Sequence, residues 1–277
     1  METLKALTGY YESYDEDNRL CSQRGMVEYL TTLRYIEKYL RPGMRILEIG
    51  AATGRYSHYF ARQGYRVDAV ELVNHNIELF KQNTKPGEDV TITQGNAKDL
   101  GNFADDTYDI TLLLGPMYHL FTEEEKLQAL SEAIRVTKKG GIIFSAYCMG
   151  DASVLMYGFI RGEIHNIIEK CMLDPVTFKT FSKPWDLFEL HRKEDIDALR
   201  EHFEVTQLHF LATDGYANHM RQTLDAMDED TFQLFLRYHF ATCERLDMVG
   251  YSNHTLDIFR KDATCVEVNN TTSTQVV

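Results

Sequence analysis

The run Arg45-Ile46-Leu47-Glu48-Ile49-Gly50-Ala51-Ala52-Thr53-Gly54-Arg55-Tyr56 ends an apolar stretch on an acid and then turns through small residues into a segment of helical pattern. Gly50 and Gly54 let the backbone approach a ligand closely and take dihedrals barred to larger side chains. Helix N-terminal N–H groups beyond them favour negative charge. A dinucleotide site asks for G-x-G-x-x-G, but the three positions here are Gly50, Ala52 and Arg55, so the second and third glycines are missing. A Walker A loop fails as well, since no Gly-Lys-[Ser/Thr] follows. Three more landmarks have chemistry-bearing residues after an apolar run: Val70-Glu71-Leu72, Gly95-Asn96-Ala97 and Pro116-Met117-Tyr118-His119-Leu120. His119 has the pKa range of a general base, with a loop histidine bonded to backbone as the alternative. No set of His, Cys and carboxylates has metal-ligand spacing, and no metal is expected.

Strands and helices must position these residues. Arg45–Ile49, Tyr65–Leu72, Asp89–Gln94, Tyr108–Gly115 and Gly141–Cys148 read as strands. Arg55–Gln63, Asn74–Asn83 and Glu123–Lys138 read as helices. Thr122 with Glu125 gives the last helix a capping box, and Lys138-Lys139-Gly140-Gly141 a cationic, glycine-marked stop. Alternation on connections this short predicts a parallel sheet covered by helices on both faces. Upstream, a polar arm leads into a helix from Met26 to Leu40. After Gly150 the pattern over 151–200 is helical in flavour, with Ile160, Ile164, Ile167 and Ile168 on one side and an irregular break at Asp174–Pro184. Strands follow at Phe203–Ala212 and Asn253–Arg260, with a helical stretch at about 216–249 between them.

Together these landmarks resemble class I S-adenosylmethionine-dependent methyltransferases, and most closely the bacterial small-molecule type with G-P-[LM]-Y-H-L after strand four. Glu48-x-Gly50-x-Ala52-x-Gly54 is similar to the family's E/D-x-G-x-G-x-G motif, with Ala52 in place of the middle glycine. Gly95-Asn96-Ala97 resembles its G-D-A. The resemblance implies an α/β, Rossmann-like three-layer fold with a seven-stranded, mostly parallel sheet of order 3-2-1-4-5-7-6, its last strand antiparallel. It implies S-adenosyl-L-methionine as cofactor, held by Glu48, Gly50, Ala51, Ala52, Gly54, Glu71, Leu72, Asn96, Ala97 and Leu114. Glu71 would accept hydrogen bonds from the ribose hydroxyls, and Asn96 would accept from the adenine amino group or serve only as a turn residue. Tyr11, Tyr14 and Arg19 of the N-terminal arm would cover the ligand, with Arg19 available for its carboxylate. Tyr118 and His119 are the candidate catalytic residues, since the methyl group should point over their loop. His239 reads as a core histidine, whereas His254 opens the last strand and has the pocket as an alternative destination.

The expected organisation is an arm and helix over the cofactor site (1–40), a cofactor-binding core (41–150) and a helical insertion (151–202). The end of the core sheet (203–261) follows with its own insertion at about 216–249, then a disordered tail (262–277). The two insertions would form a lid. With 29 basic and 42 acidic residues the net charge is −13, which speaks against nucleic acid as partner. No apolar run suits a bilayer span, the start of the chain does not fit a signal or transit peptide, and the five scattered cysteines suit a reducing cytoplasm. The expected function is methyl transfer to a small-molecule acceptor by in-line displacement. An RNA methyltransferase and a non-catalytic adenosylmethionine-binding module are the alternatives, and an NAD-dependent oxidoreductase is disfavoured by the glycine spacing. Oligomeric state is not legible.

Overall fold

The computed structural model describes residues 2–13 and 19–263. Tyr14 and the expected tail beyond residue 263 lie outside the described residues. Helix α1 (Glu2–Ser13) and helix α2 (Gln23–Tyr39) come first. Ser22 caps α2 by accepting from the Gly25 N–H at 3.3 Å, and Val27, Leu33 and Ile36 turn its buried face to the core.

Strands and helices then alternate: β1 (Arg45–Ile49), α3 (Arg55–Arg62), β2 (Arg66–Glu71), α4 (Asn74–Asn83), β3 (Val90–Gln94) and β4 (Tyr108–Leu113). After them come α5 (Glu123–Val136) and the long β5 (Thr137–Met149). Strands β6 (Leu190–His191), β7 (Val205–Ala212) and β8 (His254–Lys261) complete the sheet. The order is β3-β2-β1-β4-β5-β8-β7, with β6 beside β5 off this path. Strands β1 to β5 pair in parallel, while β8 runs antiparallel to both β5 and β7. The central strands are covered on both faces: Ile46, Leu47, Ile49, Ile110 and Leu112 are all fully buried. Such strands carry near-continuous apolar runs rather than alternation, which is why they were visible in the sequence.

Three expectations need correction. The described part of the N-terminal arm is helical, because α1 packs against α4 and the turn at Pro184–Asp186 and buries Leu7. Tertiary contact, not its own period, makes that helix. The sheet has eight strands, not seven: Leu190–His191 pairs with Cys148–Met149, so the 151–202 segment is not helical throughout. Two residues carry no readable period. The segment also holds the short helices α6 (Gly150–Ser153) and α7 (Ile164–Glu169), with a π-helix at Val154–Ile160 between them. Finally, α5 stops at Val136 rather than Lys138. Thr137 already pairs with Tyr108, and its hydroxyl lies 2.6 Å from both the Ala133 carbonyl and the Thr111 hydroxyl.

The second insertion is helical as expected, with α9 (Arg221–Asp225), α10 (Glu229–Thr242) and α11 (Leu246–Val249); α8 (Lys193–Arg200) precedes β7. Its Phe232 and Leu236 form a cluster with Val27 of α2. Among the described residues no helix is long and apolar enough to cross a membrane.

Candidate cofactor and acceptor sites

The carboxyl ends of β1, β2 and β4 open onto a pocket of about 320 Å³. Its floor is the turn from β1 into α3. The N–H groups of Gly50 and Ala51 both donate to the Val70 carbonyl, at 2.8 and 3.0 Å, which ties the turn to β2. Gly50 has φ +76°, and a Cβ there would stand 2.7 Å from Pro116 Cδ, so the loops after β1 and β4 meet only because this residue has no side chain. Ala52 is also left-handed, at φ +47°, and its N–H donates to Glu71 Oε2 at 2.9 Å. Gly54 starts α3 at φ +88°, but it does not line the pocket. A Cβ on it would lie 2.5 Å from the Phe80 ring and 2.7 Å from His58. Its place is behind the loop, packing α3 against α4.

The remaining cofactor candidates converge on the pocket: Glu48, Glu71, Asn96, and the apolar walls Leu72, Ala97 and Leu114. Glu48 is buried, and burial pushes its carboxyl up to about 8, against the Ser57 hydroxyl that donates to it. Burial likewise raises Glu71, opposed by N–H donation from Val73 at 2.8 Å and from Ala52. Each carboxylate oxygen of Glu71 still has acceptor capacity for a hydroxyl. Asn76, almost wholly buried and lining the same pocket, has an Oδ1 with no partner among the described residues. An orphaned acceptor in a pocket floored by backbone fits a polar, donor-bearing ligand. Asn96 lines the pocket while its Oδ1 accepts from the Lys98 N–H at 3.0 Å, so it takes the turn role and faces the ligand space as well.

His119 lines the pocket with both ring nitrogens engaged. Nδ1 lies 2.7 Å from the Leu187 carbonyl and must carry the proton, so Nε2 accepts from the Tyr11 hydroxyl at 3.0 Å. Burial lowers its pKa to about 4, which keeps the ring neutral. The Tyr118 hydroxyl donates to the Leu114 carbonyl at 2.9 Å. Arg19 lines the pocket and grips both oxygens of Glu28, at 2.9 and 3.1 Å.

Tyr11, Arg19 and Tyr118 also line a second cavity, of about 990 Å³, enclosed by α1, α2, the 151–190 segment and the starts of β8 and α9. His254 stands in its wall. His254 Nδ1 lies 2.7 Å from Asp214 Oδ2 and 3.5 Å from Glu28 Oε2. Asp214 is buried and also accepts from Ser252 Oγ at 2.5 Å, Asn218 Nδ2 at 2.7 Å and the His254 N–H at 3.1 Å. Burial works to raise Asp214, yet the His254 charge and these donors hold it below the usual range. Burial would lower His254, but Glu28, Cys148 and Asp214 raise it well above the usual histidine value. The ligand-type atoms of Glu28, Asp214 and His254 lie within 4.8 Å of one another, a grouping that no sequence spacing reveals. Arg19, Ser252 and Asn218 supply their other polar partners. His239 is buried beside Gly215, as a core histidine.

Sequence reasoning missed Asp214, Glu28 and Asn76. A signal existed for Asp214: like Glu71 it is an acid at the carboxyl end of a strand.

Residues 47–145 match the family model described as "Methyltransferase domain". Among curated proteins, a demethylmenaquinone methyltransferase from Renibacterium salmoninarum is 34% identical over 101 residues, covering 36% of this chain and 39% of that protein. An S-adenosyl-L-methionine-dependent Diels-Alderase from Talaromyces variabilis is 28% identical over 106 residues, covering 37% and 35%. The chain thus spans little more than a third of the length of these two relatives. A solved structure described as a SAM-dependent methyltransferase, from Methanosarcina mazei, has a TM-score of 0.54 at 18% identity, covering 82% of this chain and 97% of that one, a likeness of fold. The pocket lies at the ends of strands within residues 47–145, the stretch that matches the methyltransferase-domain model.

Proposed function

We propose that the chain moves a methyl group from S-adenosylmethionine to a small molecule held in the larger cavity. The observation that carries this reading is the shared wall: Tyr11, Arg19 and Tyr118 face both spaces, so donor and acceptor would meet across it. Glu71, Asn76 and Asn96 would hold the nucleoside, the Gly50–Ala52 backbone and Glu48 would floor it, and Arg19 would face its carboxylate. When bound, the sulfonium supplies an activated methyl group and a neutral leaving group. The chain's task is then to align the acceptor with that methyl and to keep water out.

Tyr118 and His119 shape the passage between the two spaces, with His119 positioning Tyr11. His254, oriented by Asp214, is the group placed to take a proton from the acceptor as it attacks. Its Nδ1 is occupied by Asp214, which leaves Nε2 for the substrate. A cavity of about 990 Å³ is the size of site that encloses small molecules, and the −13 net charge supports that class over RNA.

The test is incubation with methyl-tritiated donor and either a deproteinised small-molecule extract or total RNA. Label should move to the small-molecule fraction, with an equal yield of S-adenosylhomocysteine. Label confined to RNA would overturn the small-molecule reading, and donor binding with no transfer to either fraction would overturn the enzymatic one.

A further inference from the structure

We infer that the acceptor carries an anionic oxygen group, a carboxylate or a phosphate, and that this group docks on Arg221 together with Arg24 and Arg161. This inference rests on the function proposed above and names the substrate class of the same cavity. The three arginines come from separate elements: Arg24 from the first turn of α2, Arg161 from the end of the π-helix, and Arg221 from the first residue of α9. All three line the acceptor cavity and none lines the cofactor pocket, so the anion would sit away from the transferring methyl.

The pairing of charges in this cavity is lopsided. Its carboxylates all have partners: Glu28 is held by Arg19, Glu163 accepts from Asn166 Nδ2 at 2.8 Å, and Asp186 accepts from the Lys183 N–H at 2.7 Å. The arginines are poorly matched. Arg24 has Asp225 only at 3.6 Å. Arg161 lies over the Tyr157 ring, 4.4 Å from its centre. Arg221 donates to the Asn218 carbonyl at 3.3 Å and faces Met156 Sδ at 3.9 Å. Among the described residues, neither Arg161 nor Arg221 has a carboxylate within 4.0 Å.

Two further facts favour an anion beside these arginines. Arg24 occupies the first turn of α2, the end of a helix that favours acids over cations. Burial, with the charges of Arg24 and Arg161, also lowers the pKa of Arg221, and outweighs the opposing effects of Tyr157 and Asp225. An oxyanion would relieve the repulsion, and the planar guanidinium fork matches carboxylate and phosphate geometry.

The experiment uses the full chain saturated with S-adenosylhomocysteine and three probes of one shape class: phenylacetate, phenyl phosphate and the neutral phenylacetamide. Ligand-observed NMR should rank at least one anion about tenfold above the amide, and the better anion identifies the group the site prefers. Arg221→Met and the double variant Arg161→Met/Arg221→Met should remove that preference, and Arg221→Lys should keep part of it. The amide should be unaffected throughout. Anions bound no tighter than the amide, or a preference that survives the double variant, would overturn the inference. A parallel titration with S-adenosylhomocysteine separates the two failures. Loss of cofactor binding in the unaltered protein sinks the proposed function, whereas intact cofactor binding without anion preference sinks only this inference.

Discussion

The two spaces either side of Tyr118 are built in opposite ways. The cofactor pocket is largely a backbone construction: strand ends, a turn tied to β2 by two N–H bonds, and N–H groups gripping Glu71. Its polar candidates lie within one stretch of the chain, from Glu48 to Asn96, with Arg19 reaching in from outside. The acceptor cavity is a side-chain construction. Its Glu28, Phe188, Arg221 and His254 come from segments far apart in the sequence. A backbone site tolerates change in most side chains but not in backbone dihedrals; a side-chain site has the reverse sensitivity.

The sharpest way to break that contrast is in the acceptor cavity. His254→Asn should lower kcat/KM by roughly a hundredfold or more if a general base is lost, with S-adenosylhomocysteine affinity unchanged by calorimetry. The pH dependence gives the sign. Neighbouring negative charge holds this histidine above its ordinary value, so activity should climb with pH over a range shifted upward from the usual histidine range. Glu28, Cys148 and Asp214 face that ring from α2, β5 and the segment after β7, and they set where the climb occurs. Asp214→Asn should move it to lower pH, because removing a negative neighbour lowers the histidine pKa. A climb left in place would remove Asp214 from the dyad.

Gly54→Val probes the backbone site. A left-handed dihedral costs a branched residue about 1–2 kcal/mol, and overpacking against Phe80 and His58 costs about 1–3 kcal/mol more. Denaturant unfolding should register the sum. Normal stability with donor binding lost would instead make Gly54 a ligand contact. Glu71→Ala should weaken the donor by roughly 1–3 kcal/mol through lost hydrogen bonds to ribose and to the Ala52 and Val73 N–H groups. The smallest effect is expected from Ala52→Gly. Relief of its positive φ is largely offset by the greater chain entropy of glycine, so stability should stay within about 1 kcal/mol. A large change would show that the turn depends on the alanine methyl group.

The same contrast explains what was legible. Parallel central strands announce themselves as apolar runs, and the resemblance to methyltransferase motifs singles out Glu48, Glu71 and Asn96 at their ends. For Gly54, spacing marks a required glycine without saying whether ligand or Phe80 occupies the space. His119 looked like a base because a histidine ended the family-like loop. Only the fold shows that Leu187, far along the chain, occupies its Nδ1 and that Tyr11 occupies its Nε2. The Asp214–His254 pair is brought together by the β7–β8 pairing, whose register no single segment encodes.

The central claim is that the turn between Glu48 and Arg55 holds an amino-acid-bearing nucleoside. Calorimetric titration of S-adenosylhomocysteine into the unaltered chain and into Glu71→Ala tests it most directly. A single saturable site in the first, weakened roughly fivefold or more in the second, is the expected result. Failure of the unaltered chain to bind, or equal affinity in both proteins, would contradict it.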